Sequence, residues 1–342
     1  MRQSYAQLLE MINQSYEKLT NIDLNNYQNK SVLIVGSGYI ALEYIKVLKK
    51  LKIKDITILS KNKNSLDNKL LSKYKIISGG FEKKIGKIGK KDLTIITTPI
   101  NLLARAATLA IKSGQENILI EKPGSLFKTD LILLEKLIKK QKVRIAYNRL
   151  FYPNFQKLKI LTEMDGGITS CKFDFTEWVH TIPFGKYKKE VYRRWGISNS
   201  LHVISMAMEL IGMPEKITTN QYGNLKWHPT SSIFVGNGIS VKKIPFSYHA
   251  NWEGAGRWGI EVVTKKNIYR LSPLEKLFVS KKGSPEWKEI QIKNRFPKIK
   301  MGLAEEIITM LDDVLEKQLK MVTIKRAIEY NKLAEKIFAY KN

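Results

Sequence analysis

The all-apolar run SVLIVG (31–36) passes directly into Gly36-Ser37-Gly38-Tyr39-Ile40-Ala41, and then into a stretch whose apolar residues, Ile40, Tyr44, Val47, Leu48 and Leu51, recur at helical spacing. A buried strand feeding an amphipathic helix through G-x-G-x-x-A is the dinucleotide-binding pattern in its required context. Each position has a physical reason. Gly36 permits the tight turn, Gly38 lets a pyrophosphate approach the backbone, and Ala41 keeps the helix close to the strand. The helix N-terminus adds positive potential, so Gly36, Ser37, Gly38, Tyr39 and Ile40 are expected to line the pyrophosphate. Glycines also occur in turns for steric reasons alone; the flanking strand, helix and second strand make the binding reading the better one.

The same alternation continues downstream. DITILS (55–60), YKIIS (74–78), DLTIITT (92–98), NILIEKP (117–123) and VRIAYN (143–148) read as strands. Helical stretches separate them, including a lysine-rich one after the second strand and residues 102–113, closed by Gly114. This is the signature of βαβ units in a doubly wound parallel sheet, an α/β Rossmann domain over 31–150. After about Phe151 the texture changes to aromatic and β-branched runs: TSCKFDFTEW (169–178), FSYHANWE (246–253), WGIEVVT (258–264) and NIYRLS (267–272). They predict an α+β domain over 151–342 with a largely antiparallel open sheet, one helix near 200–212 and two amphipathic helices in 303–340. Residues 1–30 read as an added helical segment, with Tyr5, Leu8, Leu9, Ile12, Tyr16 and Leu19 on one face.

At 342 residues the chain suits two cores, and a 43% hydrophobic content excludes a disordered chain. Its apolar runs are too short to span a bilayer, and the first residues carry no apolar signal segment, so no membrane association is expected. Cys171 is the single cysteine, which rules out an internal disulfide and a cysteine-based metal site and fits a reducing cytoplasm. No metal is expected. The formal charge of +28 has two readings, an anionic partner or a drift of composition towards lysine. The lysines are scattered, in short clusters such as Lys49, Lys50, Lys52 and Lys54, with no basic block interleaved with aromatics. The compositional reading is therefore preferred, and nucleic acid is not expected as a partner.

An acid about 20 residues beyond the glycine turn normally grips the ribose 2′-hydroxyl of NAD. Here the second strand ends in Ser60-Lys61-Asn62-Lys63, without a carboxylate and with two ammonium groups where a 2′-phosphate would sit. NADP is the expected cofactor, with NAD as the alternative, and Ser60 and Lys61 are expected beside the adenosine ribose.

The stretch TTPINLLARAATLAIKSGQENILIEKP resembles the glucose–fructose oxidoreductase/inositol dehydrogenase family (Gfo/Idh/MocA), in its Thr98-Pro99 turn and in Glu121-Lys122-Pro123 after the fifth strand. RIAYNRLFYP (144–153) resembles the family strand that ends in an Asn/Arg pair before a proline. The resemblance implies cofactor contacts from Thr97, Thr98, Pro99, Asn101, Glu121 and Lys122, and a catalytic Lys122 reaching the substrate hydroxyl. It places His202, in WGISNSLHVISMAMELIG, on the family histidine that acts as general base. It also implies substrate contacts from Asn148, Arg149 and Asn199, and a homodimer or homotetramer. Two departures stand out: Ser198 and Asn199 occupy the places of the family aspartate, and Leu103 replaces a histidine common after the Thr-Pro turn. Trp178, Arg194 and Trp195 offer aromatic faces and guanidinium forks to sugars or anionic groups, or else serve packing. His180, His228 and His249 are read as structural or rim residues.

These readings lead to an NAD(P)-dependent oxidoreductase moving a hydride between nicotinamide and a sugar, nucleotide sugar or related polyol. The alternative, motivated by the missing aspartate, is a redox-inactive dinucleotide-binding sensor or scaffold. A third reading is transient use of NAD in elimination or glycoside cleavage.

Overall fold

The computed structural model describes residues 14, 16–19, 21–62 and 73–341. The expected lysine-rich helix, Lys63, and the apolar positions Tyr5, Leu8, Leu9 and Ile12 lie outside the described residues. The chain divides into two compact units.

The first unit runs to Asn148 and takes in Arg295–Ile328 as well. Its strands are β1 (Ser31–Val35), β2 (Asp55–Ser60), β3 (Lys75–Ser78), β4 (Leu93–Ile96), β5 (Asn117–Glu121) and β6 (Lys142–Ala146). They run parallel in the order β3-β2-β1-β4-β5-β6, the doubly wound order whose switch point lies between β1 and β4. Val32 to Val35 are fully buried, as a strand covered on both faces requires. Helices α1 (Tyr39–Lys50), α2 (Leu103–Lys112) and α3 (Lys128–Leu137) connect the strands. α1 buries Tyr44, Val47 and Leu48 of the expected stripe together with Ala41 and Ile45, while Ile40 is half-buried and Leu51 is buried just past the helix end.

The second unit comprises Arg149–Asn294 and the tail from Glu329. It opens with α4 (Pro153–Met164), then β7 (Ser170–Phe175) and α5 (Leu201–Ile211). β8 (Pro214–Tyr222), β9 (Ile233–Ser240), β10 (Pro245–Asn251), β11 (Trp258–Val263), β12 (Asn267–Leu271), β13 (Leu277–Lys281) and β14 (Lys288–Ile290) follow. The sheet order is β14-β13-β12-β11-β7-β10-β9-β8. All pairs are antiparallel except β7 with β10. Cys171, Phe173 and Phe175 of β7 alternate inward, and α5 packs across that strand. β8 and β9 escape the apolar-run reading because β8 is mostly polar and β9 carries Gly236 and Gly238. A Cβ at Gly236 would clash with the Thr218 carbonyl of β8 and meet the Tyr248 ring at 2.5 Å, so these glycines make room for the paired strand's backbone and for neighbouring aromatics.

The tail departs from the two expected helices. It forms α6 (Leu303–Leu311), α7 (Asp313–Leu319), a short strand β15 (Val322–Thr323) and α8 (Ile324–Ile337). Asp312 breaks the helix and caps the next one, accepting from the amides of Val314 and Leu315. β15 adds to the parallel sheet as an antiparallel edge, pairing Val322 with Ile145 of β6. The pairs Arg144–Glu316 and Lys142–Asp313, both at 2.6 Å, hold this segment to the same unit. The last helix contains the boundary between the units.

Candidate functional site

The glycine turn of the first unit is built from opposite requirements at its two glycines. Gly36 has φ +119°, and a Cβ there would lie 2.7 Å from the carbonyl and hydroxyl oxygens of Thr97. Thr97 is itself fixed, donating its amide and its hydroxyl to the Val35 carbonyl at 2.8 and 3.1 Å. Gly38 has an ordinary φ of −78° and caps α1 with no side-chain hydrogen bond. A Cβ at Gly38 would meet nothing within 4 Å. An open approach over an uncapped helix N-terminus fits a pyrophosphate: the first-turn amides need acceptors and the helix dipole favours anions. Tyr39 is 67% exposed beside it, and Ala41 is buried against the sheet.

At the tip of β2, the buried Ser60 donates its hydroxyl to the Asn62 carbonyl at 3.2 Å. Lys61 is exposed and makes no ion pair among the described residues, so its ammonium is available to an anion. After β4, Thr98 Oγ1 is buried with no hydrogen-bond partner among the described residues, a polar atom suited to a cofactor group. Pro99 is exposed and Asn101 half-buried in the short turn that leads into α2.

Glu121 ends β5 and Lys122 follows in the turn. Glu121 accepts a hydrogen bond from Tyr44 of α1 at 2.7 Å, and burial raises its pKa against the opposing effects of Tyr44, Lys122 and Lys300. Glu306 of α6 faces the same carboxyl. It is 0% exposed, neither of its oxygens has a hydrogen-bond partner among the described residues, and burial followed by repulsion from Glu121 holds it well above the usual carboxylate range. Asn148 donates its amide to the Met301 carbonyl at 2.9 Å and so ties down the returning segment.

In the second unit the expected residues divide. Arg194 and Trp195 lie in packed surroundings, the second of the two readings open to them. Arg194 is buried, ion-paired to Glu335 at 2.7 Å, and its guanidinium lies 5.2 Å from the Tyr340 ring centre. Trp195 stacks on Tyr192 with centroids 6.1 Å apart. Both belong to the packing around the C-terminal tail. Tyr340 accepts from the Gly196 amide at 2.9 Å and donates to Nε2 of His228, whose Nδ1 faces the Ser231 carbonyl. Burial lowers the His228 pKa to about 4, so this ring is a neutral structural link.

Asn199 and His202 stay at the start of α5. Gly196–Ser200 forms a single π-helical turn, a local irregularity frequent at functional sites. Asn199 is the residue of that turn that is not buried. Its amide donates to Glu177 Oε2 at 2.7 Å, and Ser200 donates to Glu177 Oε1 at 2.6 Å. Glu177 is 3% exposed; burial raises its pKa, while Ser200, Asn199, Trp195 and Arg257 oppose that shift. The sequence reading missed Glu177. Its signal was an acid on the inward phase of the strand, two residues beyond Phe175 in the alternation Cys171, Phe173, Phe175. His202 is 6% exposed, its ring 6.0 Å from that of Trp258. Trp258 in turn carries the guanidiniums of Arg149 and Arg257 at 4.8 and 4.7 Å. Trp178, 44% exposed, donates its indole N–H to the Gly256 carbonyl at 2.7 Å and stacks under Arg257 at 4.4 Å.

No protein-family model matches the chain. A shikimate dehydrogenase (NADP(+)) of Prochlorococcus marinus (strain MIT 9515) is 38% identical over 98 residues, 27% of this chain and 34% of that protein. The match thus spans about a third of that relative. Solved structures match over nearly the whole chain. UDP-N-acetylglucosamine 3-dehydrogenase from Acidithiobacillus ferrooxidans gives a TM-score of 0.69 at 12% identity, covering 91% of this chain and 97% of its own. A dehydrogenase (MviM) from Clostridium difficile gives 0.72 at 18%, covering 91% and 99%. Levoglucosan dehydrogenase in complex with NADH gives 0.70 at 15%, covering 91% and 96%. The fold is therefore the one these structures share, a Rossmann unit and an α+β unit with an open, largely antiparallel sheet.

Proposed function

We propose that the protein is an NAD(P)-dependent oxidoreductase that moves a hydride between the nicotinamide and a carbon of a sugar, nucleotide sugar or related polyol. The turn at Gly36 and Gly38 carries this reading. One position admits only glycine, the next leaves the approach to a helix N-terminus open, and both stand at the switch point of the sheet. The names of the structural neighbours run the same way, a nucleotide-sugar dehydrogenase and a sugar dehydrogenase solved with NADH.

The bound nicotinamide supplies the hydride donor or acceptor. Gly36, Ser37, Gly38, Tyr39 and Ile40 would hold its pyrophosphate, with Thr97, Thr98, Pro99, Asn101 and Glu121 framing the rest. Ser60 and Lys61 would face the adenosine ribose, where the exposed ammonium favours the 2′-phosphate of NADP. Lys122 would hold the reacting hydroxyl and stabilise negative charge on its oxygen, and His202 would take the proton. Asn199 would hydrogen-bond a neighbouring hydroxyl. Glu177 supplies a buried carboxylate against Asn199, which answers the missing aspartate that had motivated the redox-inactive reading. The exposed face of Trp178 suits a sugar ring.

A homodimer or homotetramer, built on the open face of the antiparallel sheet, is part of the same proposal and is checked by light scattering. So is a reducing, cytoplasmic location; no described helix is long and apolar enough to cross a membrane. Turnover is measured with NADP⁺ and NAD⁺ over a panel of sugars, sugar acids and nucleotide sugars. At least one should be oxidised, and Lys122→Ala and His202→Ala should each lose roughly 10²–10⁴-fold in kcat. His202→Ala should bind the dinucleotide as the parent does. Full turnover in both variants, or tight NADPH binding with no turnover on the panel, refutes the reading.

A further inference from the structure

Arg149 and Arg257 differ from Arg194 and Arg270 of the same unit, each of which holds a glutamate at 2.7 Å. Neither the Arg149 nor the Arg257 guanidinium has an ion pair or a hydrogen bond among the described residues. Both instead lie over Trp258, and Arg257 also covers Trp178. Aromatic faces fix a guanidinium in place without using its N–H donors. Two of the donors gathered here are buried without a partner among the described residues, Arg149 Nε and Trp258 Nε1. A buried donor left without an acceptor is costly, so a cluster of them calls for an acceptor from outside the chain. The nearby carboxylate does not fill that need: Glu177 feels the Arg257 charge, but its two oxygens take Asn199 and Ser200. The same Trp258 ring packs against the His202 imidazole, which places the cluster beside the proposed base.

We propose that Arg149 and Arg257 form an anion subsite next to His202, so that the substrate is a sugar bearing a carboxylate or a phosphate. The planar guanidinium fork suits both groups, because each presents paired oxygens to parallel N–H donors. This deepens the dehydrogenase reading and rests on it for the identity of the reaction, though the subsite itself can be tested by binding alone.

The test is calorimetric titration of the full chain at physiological salt with three probes, D-glucuronate, D-glucose 6-phosphate and D-glucose. At least one anionic probe should bind more than tenfold tighter than glucose, and the tighter of the two names the anion. Arg257→Met should lose about 10- to 100-fold in that affinity, and Arg257→Lys, which keeps the charge without the fork, should fall between. With a formal charge of +28, diffuse attraction needs its own control. Lys288→Met on the outer strand β14 removes one charge elsewhere and should leave binding unchanged. Equal weakening in Lys288→Met and Arg257→Met, binding of glucose as tight as the anions, or no binding of any probe overturns the subsite. NADP⁺ reduction in the same samples separates the two proposals. Anion binding that depends on Arg257 without oxidation of any probe supports the subsite and counts against the dehydrogenase. Oxidation of glucose that is indifferent to Arg257→Met supports the dehydrogenase and overturns the subsite.

Discussion

The Asn199 side-chain amide donates to the buried Glu177 carboxylate at 2.7 Å, which fixes which end of the amide faces away. With its NH₂ group given to Glu177, Asn199 is left with Oδ1 as the acceptor on the other side. A substrate hydroxyl can donate to that oxygen.

Restoring an aspartate at this position should therefore harm the protein. Asn199→Asp sets a second carboxylate against Glu177 and removes one of its donors, with an expected destabilisation of about 1–3 kcal/mol at neutral pH. Adding Glu177→Gln to the same chain should recover most of the loss, since the new amide can donate to the carboxylate introduced at position 199. Chemical denaturation of the two single variants and the double variant measures the coupling. An Asn199→Asp chain as stable as the parent removes the basis for this orientation.

The two glycines of the turn should separate folding from binding. Gly36→Ala combines a left-handed φ with a 2.7 Å clash against Thr97 and should lose roughly 2–5 kcal/mol. Gly38→Val keeps an allowed φ and its Cβ meets no atom within 4 Å, so its melting temperature should match the parent while NADPH and NADH binding disappears. Differential scanning and fluorescence titration on both variants give the answer. Retained dinucleotide binding in Gly38→Val places the cofactor elsewhere.

Lys61 should discriminate between the cofactors. Lys61→Ala removes an exposed ammonium, and NADPH affinity should fall about tenfold while NADH affinity holds, because only NADPH carries the 2′-phosphate. Equal affinities for both in the parent, unchanged by the substitution, contradict the NADP preference.

The carboxyls buried under α6 should make stability fall as pH rises. Burial lifts Glu305 from 4.5 to about 7, and Glu306 well above the ordinary range. For both groups the folded state binds the proton more tightly than the unfolded one. Their contribution is therefore full below the unfolded pKa and is lost as pH climbs through the folded pKa. For Glu305 that window runs from 4.5 to about 7 and is worth roughly 3 kcal/mol. Glu305→Gln should flatten the decline across this window, and Glu306→Gln should raise stability on the alkaline side. Denaturation midpoints from pH 4 to 9 read both; parallel profiles for parent and variants would show that neither carboxyl is held neutral.

The first half of the fold was legible because its signals are local. β1, the glycine turn and α1 are contiguous, the strand is buried on both faces, and the helix shows one apolar stripe, so their type follows from a window of about twenty residues. β2 and β12 fall at or within a residue of the expected runs for the same reason. In the second half, the alternation of Phe173 and Phe175 announced a strand, but polar β8 and glycine-bearing β9 gave no comparable pattern.

What sequence alone determined was the dinucleotide turn, the two-part α/β then α+β order, and the strand tip without a carboxylate at Ser60 and Lys61. Only the tertiary structure decided which charged residues remain available for a ligand. Arg194 meets Glu335 across 141 positions of chain, Asn199 meets Glu177 across 22, and Val322 returns to pair with Ile145. Such pairings leave no trace in local spacing. A buried charge is stabilised by whichever opposite group the fold brings within hydrogen-bond reach, and chain separation sets no limit on that reach.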